Sequence, residues 1–284
     1  QGEGGPTIDG TVGGRWRVNG SNRFDASVSY VERRPERDGR IWFWQGRGYG
    51  FLRDAGVEVT SEGPLGTLHR WTMDIRWATE PTSAVSGSLA GYYRDFSGLL
   101  LEEQVFQFDP VQHAFSGPVN LIPDRRGGVV GGEAIAEARP SSRFRSRTTY
   151  RYERTVSGDG LFRKAWDAVP RHILTQTVLY TPASGFSIWA RFAWMNETEW
   201  HDYEDAGVQT AGVYRSTLDD VVTLDLALTK WFWHGRLRGS LDVRNLLGAS
   251  PRYHPIGASF DTTLFAGIEL DLEGGPSQRP TGEN

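Results

Sequence analysis

Arg143, Arg145, Arg147 and Arg151 occupy alternate positions of one short stretch, with Phe144, Thr148, Tyr150 and Tyr152 between them. In an extended chain successive side chains point to opposite faces, so this spacing gathers four guanidinium groups on one face and aromatic residues on the other. Just upstream, Glu133 and Glu137 share a face opposite Val130, Ala134 and Ala136. Folding the two stretches about the RPSS segment (139–142) brings Glu137 near Arg143 and Glu133 near Arg147, a cross-strand ladder of alternating charge. Such a ladder can guide or hold a polar ligand. It is also what a wet wall packed against water or protein carries, and both readings stay open here. Arg236, Arg238, Asp242 and Arg244 repeat the pattern, with Leu237, Leu241 and Val243 on the opposite face.

Other candidate chemistry is sparser. Glu197, Glu199, His201, Asp202, Glu204 and Asp205 form the densest acidic site, and clustered carboxylates with a histidine can bind a divalent cation; acidic loops are also commonly just solvated. No two of the six histidines stand at metal-ligand spacing, and there is no cysteine for a thiolate site, disulfide or nucleophile. No GxSxG, HExxH or P-loop pattern appears, so the reading is of a protein that is not an enzyme and needs no cofactor. A net charge of −4 suggests no nucleic-acid partner.

The elements that position these charges are strands. Segments 217–233, 235–247 and 259–272 alternate apolar with polar or small residues. In the first, Val222, Leu224, Leu226, Leu228 and Phe232 oppose Thr223, Asp225, Ala227 and Thr229; in the third, Leu264, Ala266, Ile268, Leu270 and Leu272 oppose Thr263, Glu269 and Asp271. Further strands are expected at about 7–18, 22–33, 54–62, 66–79, 84–96, 128–138, 142–155, 171–182 and 185–198, with another at 99–108. No segment shows helical periodicity over three turns. Four arginines facing lipid would each cost about 2–4 kcal/mol near the midplane of a bilayer, so the charged face is expected to line a lumen and the apolar face to meet lipid. Lys230 breaks the outward row where it can snorkel to water. A mean hydropathy of −0.46 does not oppose this, because only every second residue of such a strand meets lipid. No apolar run is long enough for a membrane-spanning helix.

Connections alternate in length. NGS (19–21), RPSS (139–142), PASG (182–185) and HG (234–235) are short; 34–53, 109–127, 156–170, 199–216 and 248–258 are long. Short turns at one rim and long loops at the other fit a bacterial outer-membrane barrel. Two readings of 97–127 remain. Either Phe96-Ser97-Gly98 turns into a strand at 99–108, or the whole segment is one external loop with its own hairpin. The chain has 11 Trp; Trp71, Trp77, Trp189, Trp194, Trp231 and Trp233 stand where girdles at the two membrane interfaces would need them. Residues 1–272 read as the barrel region and 273–284 as a polar tail. The start at Gln1, without Met or a signal-type apolar core, reads as a processed chain or a fragment.

Several pieces resemble the TonB-dependent outer-membrane receptors. LDVRNLLGASPRYHP (241–255) and TLFAGIELDL (263–272) are similar to that family's last strands, with Asn245-Leu246-Leu247 in place of its Asn-Leu-hydrophobic ending, a loop carrying Tyr253, and Gly267 in the closing strand. LAGYYRDFSGLL (89–100) resembles its aromatic strand. GGVVGGEAIAEARPSSRFRSRTTYRYERT (127–155) resembles its Gly-x-Glu strand, turn and Tyr-rich strand, and Pro170-Arg171-His172 resembles its Pro-x-His opening of the next strand. The resemblance covers about 84–272. It implies an all-β, transmembrane antiparallel β-barrel of 22 strands, of which this chain supplies about 12–14 from the C-terminal part. It further implies import of a scarce ligand of the siderophore, haem, cobalamin or oligosaccharide class across the outer membrane of a Gram-negative bacterium. The implied partners are outer-membrane lipid, a second chain supplying the plug and remaining strands, and an energy-coupling inner-membrane complex. The chain departs from the family in its strand count, in showing no plug segment, and in a tail, EGGPSQRPTGEN, where the family usually ends on an aromatic residue. A self-contained pore and a soluble all-β glycan-binding protein are the alternatives.

Overall fold

The computed structural model of the chain describes residues 8–33, 59–61, 67–104, 107–109, 114–116, 119–182, 185–200, 217–233, 236–249 and 259–270. In chain order its elements are β1 (Ile8–Arg17), β2 (Asn22–Arg33), β3 (Val59–Ser61), β4 (Leu68–Thr82), β5 (Val85–Gln104), β6 (Gln107–Asp109), β7 (Ala114–Ser116), β8 (Val119–Ser141), β9 (Phe144–Gly158), α1 (Gly160–Asp167), β10 (His172–Tyr180), β11 (Phe186–Met195), β12 (Thr198–Glu199), β13 (Thr217–Leu218), β14 (Val221–Phe232), β15 (Leu237–Arg244) and β16 (Thr263–Leu270). One sheet dominates, in the order β1-β2-β4-β5-β8-β9-β10-β11-β14-β15-β16. Every neighbouring pair along that path is antiparallel. The sheet is open, with β1 and β16 as its edges.

The loop rhythm holds along the whole path. The tight links 18–21, 83–84, 142–143, 181–185 and 233–236 all fall at one rim, and the longer links all fall at the other. Two expected strands change status, which reduces the count in the sheet to eleven. Of 54–62, the described part is the three residues of β3, paired parallel to the start of β8. The stretch 99–108 is not a separate strand after a turn: β5 runs on through it to Gln104, with register irregularities between Phe96 and Leu101. Gly98 takes a φ of 67° there, which is why Phe96-Ser97-Gly98 looks like a turn in sequence. The small β6–β7 hairpin sits in the following loop, as the second reading of 97–127 allowed, but β5 and β8 take up both ends of that segment, so it is not one long loop.

A helix also appears where none was expected. In α1, Asp159 caps the N-terminus by accepting from the Phe162 N–H at 2.8 Å. Phe162 and Trp166, one turn apart, are buried. Two turns are too short to show as periodicity; the Asp159 cap ahead of that apolar pair was the available signal.

The RPSS turn is displaced from its expected place. β8 continues to Ser141 and the chain reverses at Ser142-Arg143, with an irregularity between Ala138 and Ser141. That irregularity spans Pro140, which has no N–H to give to a ladder and is tolerated at a bulge. The pairing therefore slides: Glu137 stands opposite Arg147, not Arg143, and Glu133 opposite Arg151, not Arg147. The slide moves each partner by four residues, an even number, so the face assignment survives. Arg143 itself belongs to the turn, where its carbonyl accepts from the Thr181 N–H at 2.8 Å.

Candidate functional site: the charged face of the sheet

The register places the two faces residue by residue. One face is apolar and strongly exposed: Val12 is 80% exposed and Ile268 84%, and Val28, Met73, Ile75, Leu89, Leu241 and Leu264 join them. Aromatic residues border this face at both ends. Toward the long-loop rim lie Tyr30 against Trp71 (ring centroids 4.7 Å), Tyr152 against His172 (4.9 Å), and Trp194 beyond His172. Toward the short-turn rim lie Trp16 against Phe24 (5.8 Å), with Trp77 opposite Phe24, and Phe144 opposite Tyr180. Two tyrosines of the first band bond to histidines, Tyr30 Oη to His69 Nδ1 at 2.6 Å and Tyr150 Oη to His172 Nδ1 at 2.7 Å. Trp71 and Trp77 are six residues apart on one strand, about 20 Å at roughly 3.4 Å per residue. That spacing is comparable to the apolar band, about 25 Å tall, of an outer-membrane barrel. Trp189 and Trp231 are not in these bands. Their parity puts them on the charged face, where Trp189 lies under the Arg244 guanidinium and Trp231 under that of Arg238, both at 5.7 Å.

On the charged face, residues opposite one another across successive strands form rows. One runs Arg15, Asp25, Arg76, Ala90, Glu133, Arg151. Another runs Glu137, Arg147, Thr177, Arg191, Asp225, Arg244. Each holds three arginines and two carboxylates, so each retains a positive excess. In the first, Asp25 takes Arg15 at 2.7 Å and Arg23 at 3.0 Å, and Arg76 reaches over Ala90 to Glu133 at 3.7 Å. In the second, Glu137 lies 3.3 Å from Arg147 and 3.8 Å from Arg145, with Arg139 at 2.9 Å. Asp225 lies between Arg191 (4.0 Å) and Arg244 (3.8 Å) and also accepts from the Asn245 N–H at 2.9 Å. Arg238 pairs with Glu269 at 3.1 Å. Where both side chains are well exposed, as in Arg238–Glu269, a pair is worth no more than about 1 kcal/mol. Arg15, Arg23, Arg76, Arg94 and Arg151 line a recess of about 790 Å³ together with Tyr92 and Glu153, so this face is the concave one.

Two carboxylates of this face are buried, Asp225 within its row at 9% exposed and Glu153 outside the rows. Glu153, 7% exposed, accepts from Tyr92 Oη at 2.5 Å and from Trp166 Nε1 at 2.8 Å, with Arg94 Nη1 at 3.5 Å. Gly131 makes room for Tyr92, since a Cβ there would lie 2.3 Å from the ring. Phe96 and Phe162 pack on Trp166. The site thus fastens α1 to the concave wall near the long-loop rim. Sequence reasoning missed it, although Glu153 continues the odd-numbered series of Arg143 to Arg151.

Asn245, in the sequence stretch that carried the family resemblance, has a local reason for its identity. It adopts a φ of 52°, a conformation asparagine tolerates. Its side-chain amide donates to the carbonyls of Ala249 and Phe260, and its own carbonyl accepts from Thr262 Oγ1 at 2.7 Å. It ties together the ends of the loop between β15 and β16. Of the acidic candidate loop, Glu199 lies in β12 and Glu197 just before it, and the Glu197 N–H donates to Asp220; His201, Asp202, Glu204 and Asp205 lie outside the described residues. Among the described residues no group of three or more metal-ligating side chains gathers.

No protein-family model matches the chain, and no curated protein sequence does. Solved structures do. The siderophore receptor PirA from Acinetobacter baumannii superimposes with a TM-score of 0.64 at 11% identity over 92% of this chain. The FrpB iron transporter from Neisseria meningitidis gives 0.63 at 12%, and the pyoverdine outer-membrane receptor FpvA from Pseudomonas aeruginosa 0.60 at 14%, each over 92% of the chain. The chain has the fold of a TonB-dependent receptor barrel wall. It spans 40%, 39% and 36% of the length of those three proteins respectively, so it corresponds to part of such a barrel. The matched structures are receptors and transporters.

Proposed function

We propose that this chain is one wall of an outer-membrane import barrel of the TonB-dependent kind, taking up a scarce ligand of the siderophore, haem, cobalamin or oligosaccharide class. The observation that carries the reading is the two-faced sheet: an exposed apolar band bordered by aromatic residues at both ends, backed by a concave face of arginine-rich rows. A soluble glycan-binding sheet has no use for so large an exposed apolar face. In this reading the apolar band meets outer-membrane lipid and the rows line the lumen. Glu133, Glu137, Arg145, Arg147, Arg151, Arg238 and Arg244 face the passage and whatever plug fills it. A plug and an inner-membrane energy-coupling complex are the partners this reading requires, and the chain itself performs no chemical step. The positive excess of the rows favours an anionic ligand or acidic plug residues. Cell fractionation tests the reading. The chain should travel with the outer membrane of a Gram-negative host and leave it only in detergent; recovery as a soluble monomer without detergent would overturn it.

A further inference from the structure

Resting on the reading of the sheet as a barrel wall in lipid, the outward face carries a polar cluster that lipid does not explain. On β9 and β10 the side chains of Ser146, Thr148 and Gln176 share that face with Phe144, Tyr152, His172 and Tyr180. Thr148 Oγ1 donates to Gln176 Oε1, and Gln176 Nε2 donates to Ser146 Oγ at 2.7 Å. The register places Thr148 opposite Gln176, four residues from the Tyr152–His172 pair and four from the Phe144–Tyr180 pair. Those pairs belong to the two aromatic bands, so the Gln176 amide lies midway between them, at the centre of the hydrocarbon. Elsewhere the middle of this face is apolar, as at Val28, Ile75, Leu226 and Leu241. A hydrogen-bonding side chain at that depth has no water to turn to.

We infer that Gln176 and its two hydroxyl neighbours form the centre of a contact between two copies of this chain, packed outer face to outer face in the membrane about a two-fold axis. A primary amide offers two N–H donors and two acceptor positions. Within the sheet Gln176 uses one of each, which leaves one donor and one acceptor on a neutral group. That remainder is complementary to itself, as an isologous two-fold contact requires. Depth selects the same partner. Copies inserted in the same direction hold Gln176 at one height, so amide meets amide. The flanks permit the approach: Ala136 stands opposite Thr148, Ala138 opposite Ser146, and Ala190 opposite Val178. Small side chains let packed surfaces in a membrane come close enough for such polar groups to bond across them. Ser146, Thr148 and Gln176 are all neutral, so the contact calls for no counter-ion.

Thiol cross-linking in the host outer membrane tests this. The chain has no native cysteine, so single variants report alone. Leu174→Cys and Val178→Cys, two residues to either side of Gln176 on the outward face, report on the cluster. Met73→Cys and Leu264→Cys report on the same face far from it. With a short thiol-to-thiol reagent the first two should give a homodimer and the last two should not. Adding Gln176→Leu, a side chain at home in lipid, should leave the chain in the membrane and lower the dimer yield about tenfold, the scale of one polar contact between packed membrane segments. The cysteine variants keep Gln176, so they test the contact whether or not Gln176→Leu assembles. Absence of a homodimer from the first two overturns the inference. So does a product with a different protein, an equal yield from Met73→Cys or Leu264→Cys, or a yield that Gln176→Leu leaves unchanged. In each of those outcomes the chain still fractionates with the outer membrane, so failure of the dimer is distinguishable from failure of the membrane reading.

Discussion

Glu153 and Asp25 are both carboxylates on the concave face, and both draw arginines, yet they do different work. Asp25 sits between Arg15 and Arg23 in water, its side chain 25% exposed and that of Arg15 72%. Glu153 is sealed beneath α1, with an indole N–H on one carboxylate oxygen and a phenol O–H on the other. The pairing at Asp25 is the shorter to an arginine, but solvent removes most of its value. At Glu153 the contact with Arg94 is long, and burial makes every donor count. Charge on this face therefore has two roles: rows of paired charge that leave a positive wall available, and a knot at Glu153 that fastens a helix to it.

Substitutions sharpen or break that contrast. Glu153→Ala should have the largest effect, because it strands Trp166 Nε1, Tyr92 Oη and the Arg94 guanidinium together; a loss of about 3–5 kcal/mol is expected, read as urea unfolding of the chain in micelles. Trp166→Phe keeps the ring packing on Phe96 and Phe162 and removes only the indole donor. It should cost about 1.5–3 kcal/mol and raise amide exchange in α1 while leaving β14 and β15 unchanged. Gly131→Ala forces Tyr92 from its place, an overpacking worth about 1–3 kcal/mol, with the same local signature in α1. Asp25→Asn should be the mildest, at about 0–1 kcal/mol, and the difference from the parent chain should shrink as salt is raised. If Asp25→Asn proved as damaging as Glu153→Ala, the division into rows of paired charge and a fastening knot would be wrong.

How much of this was legible depended on the range of the interaction. Alternation is local, so the faces of β14, β15 and β16 and the shared face of Glu133, Glu137 and Arg145 to Arg151 could be read directly. The register of Glu137 was not legible, because it hangs on where one turn closes, and Pro140 moved that point by extending β8. The sides taken by Trp189 and Trp231 were legible from parity, but ring chemistry suggested a girdle and obscured it; on the concave face they serve as platforms for Arg244 and Arg238. The Glu153 knot needed four elements to converge, Tyr92 from β5, Gly131 from β8, Glu153 from β9 and Trp166 from α1, and nothing local announces such a meeting. Long cross-strand rows likewise emerge only once every register is known.

The most direct measurement of the central account places one arginine on each face of the same strand, Leu226→Arg on the apolar face and Thr229→Arg on the concave face, and follows assembly into the outer membrane. Leu226→Arg should abolish stable assembly, since an arginine near the bilayer midplane costs about 2–4 kcal/mol, while Thr229→Arg should assemble like the parent chain. Normal assembly of Leu226→Arg together with failure of Thr229→Arg would contradict the assignment of lipid to one face and lumen to the other.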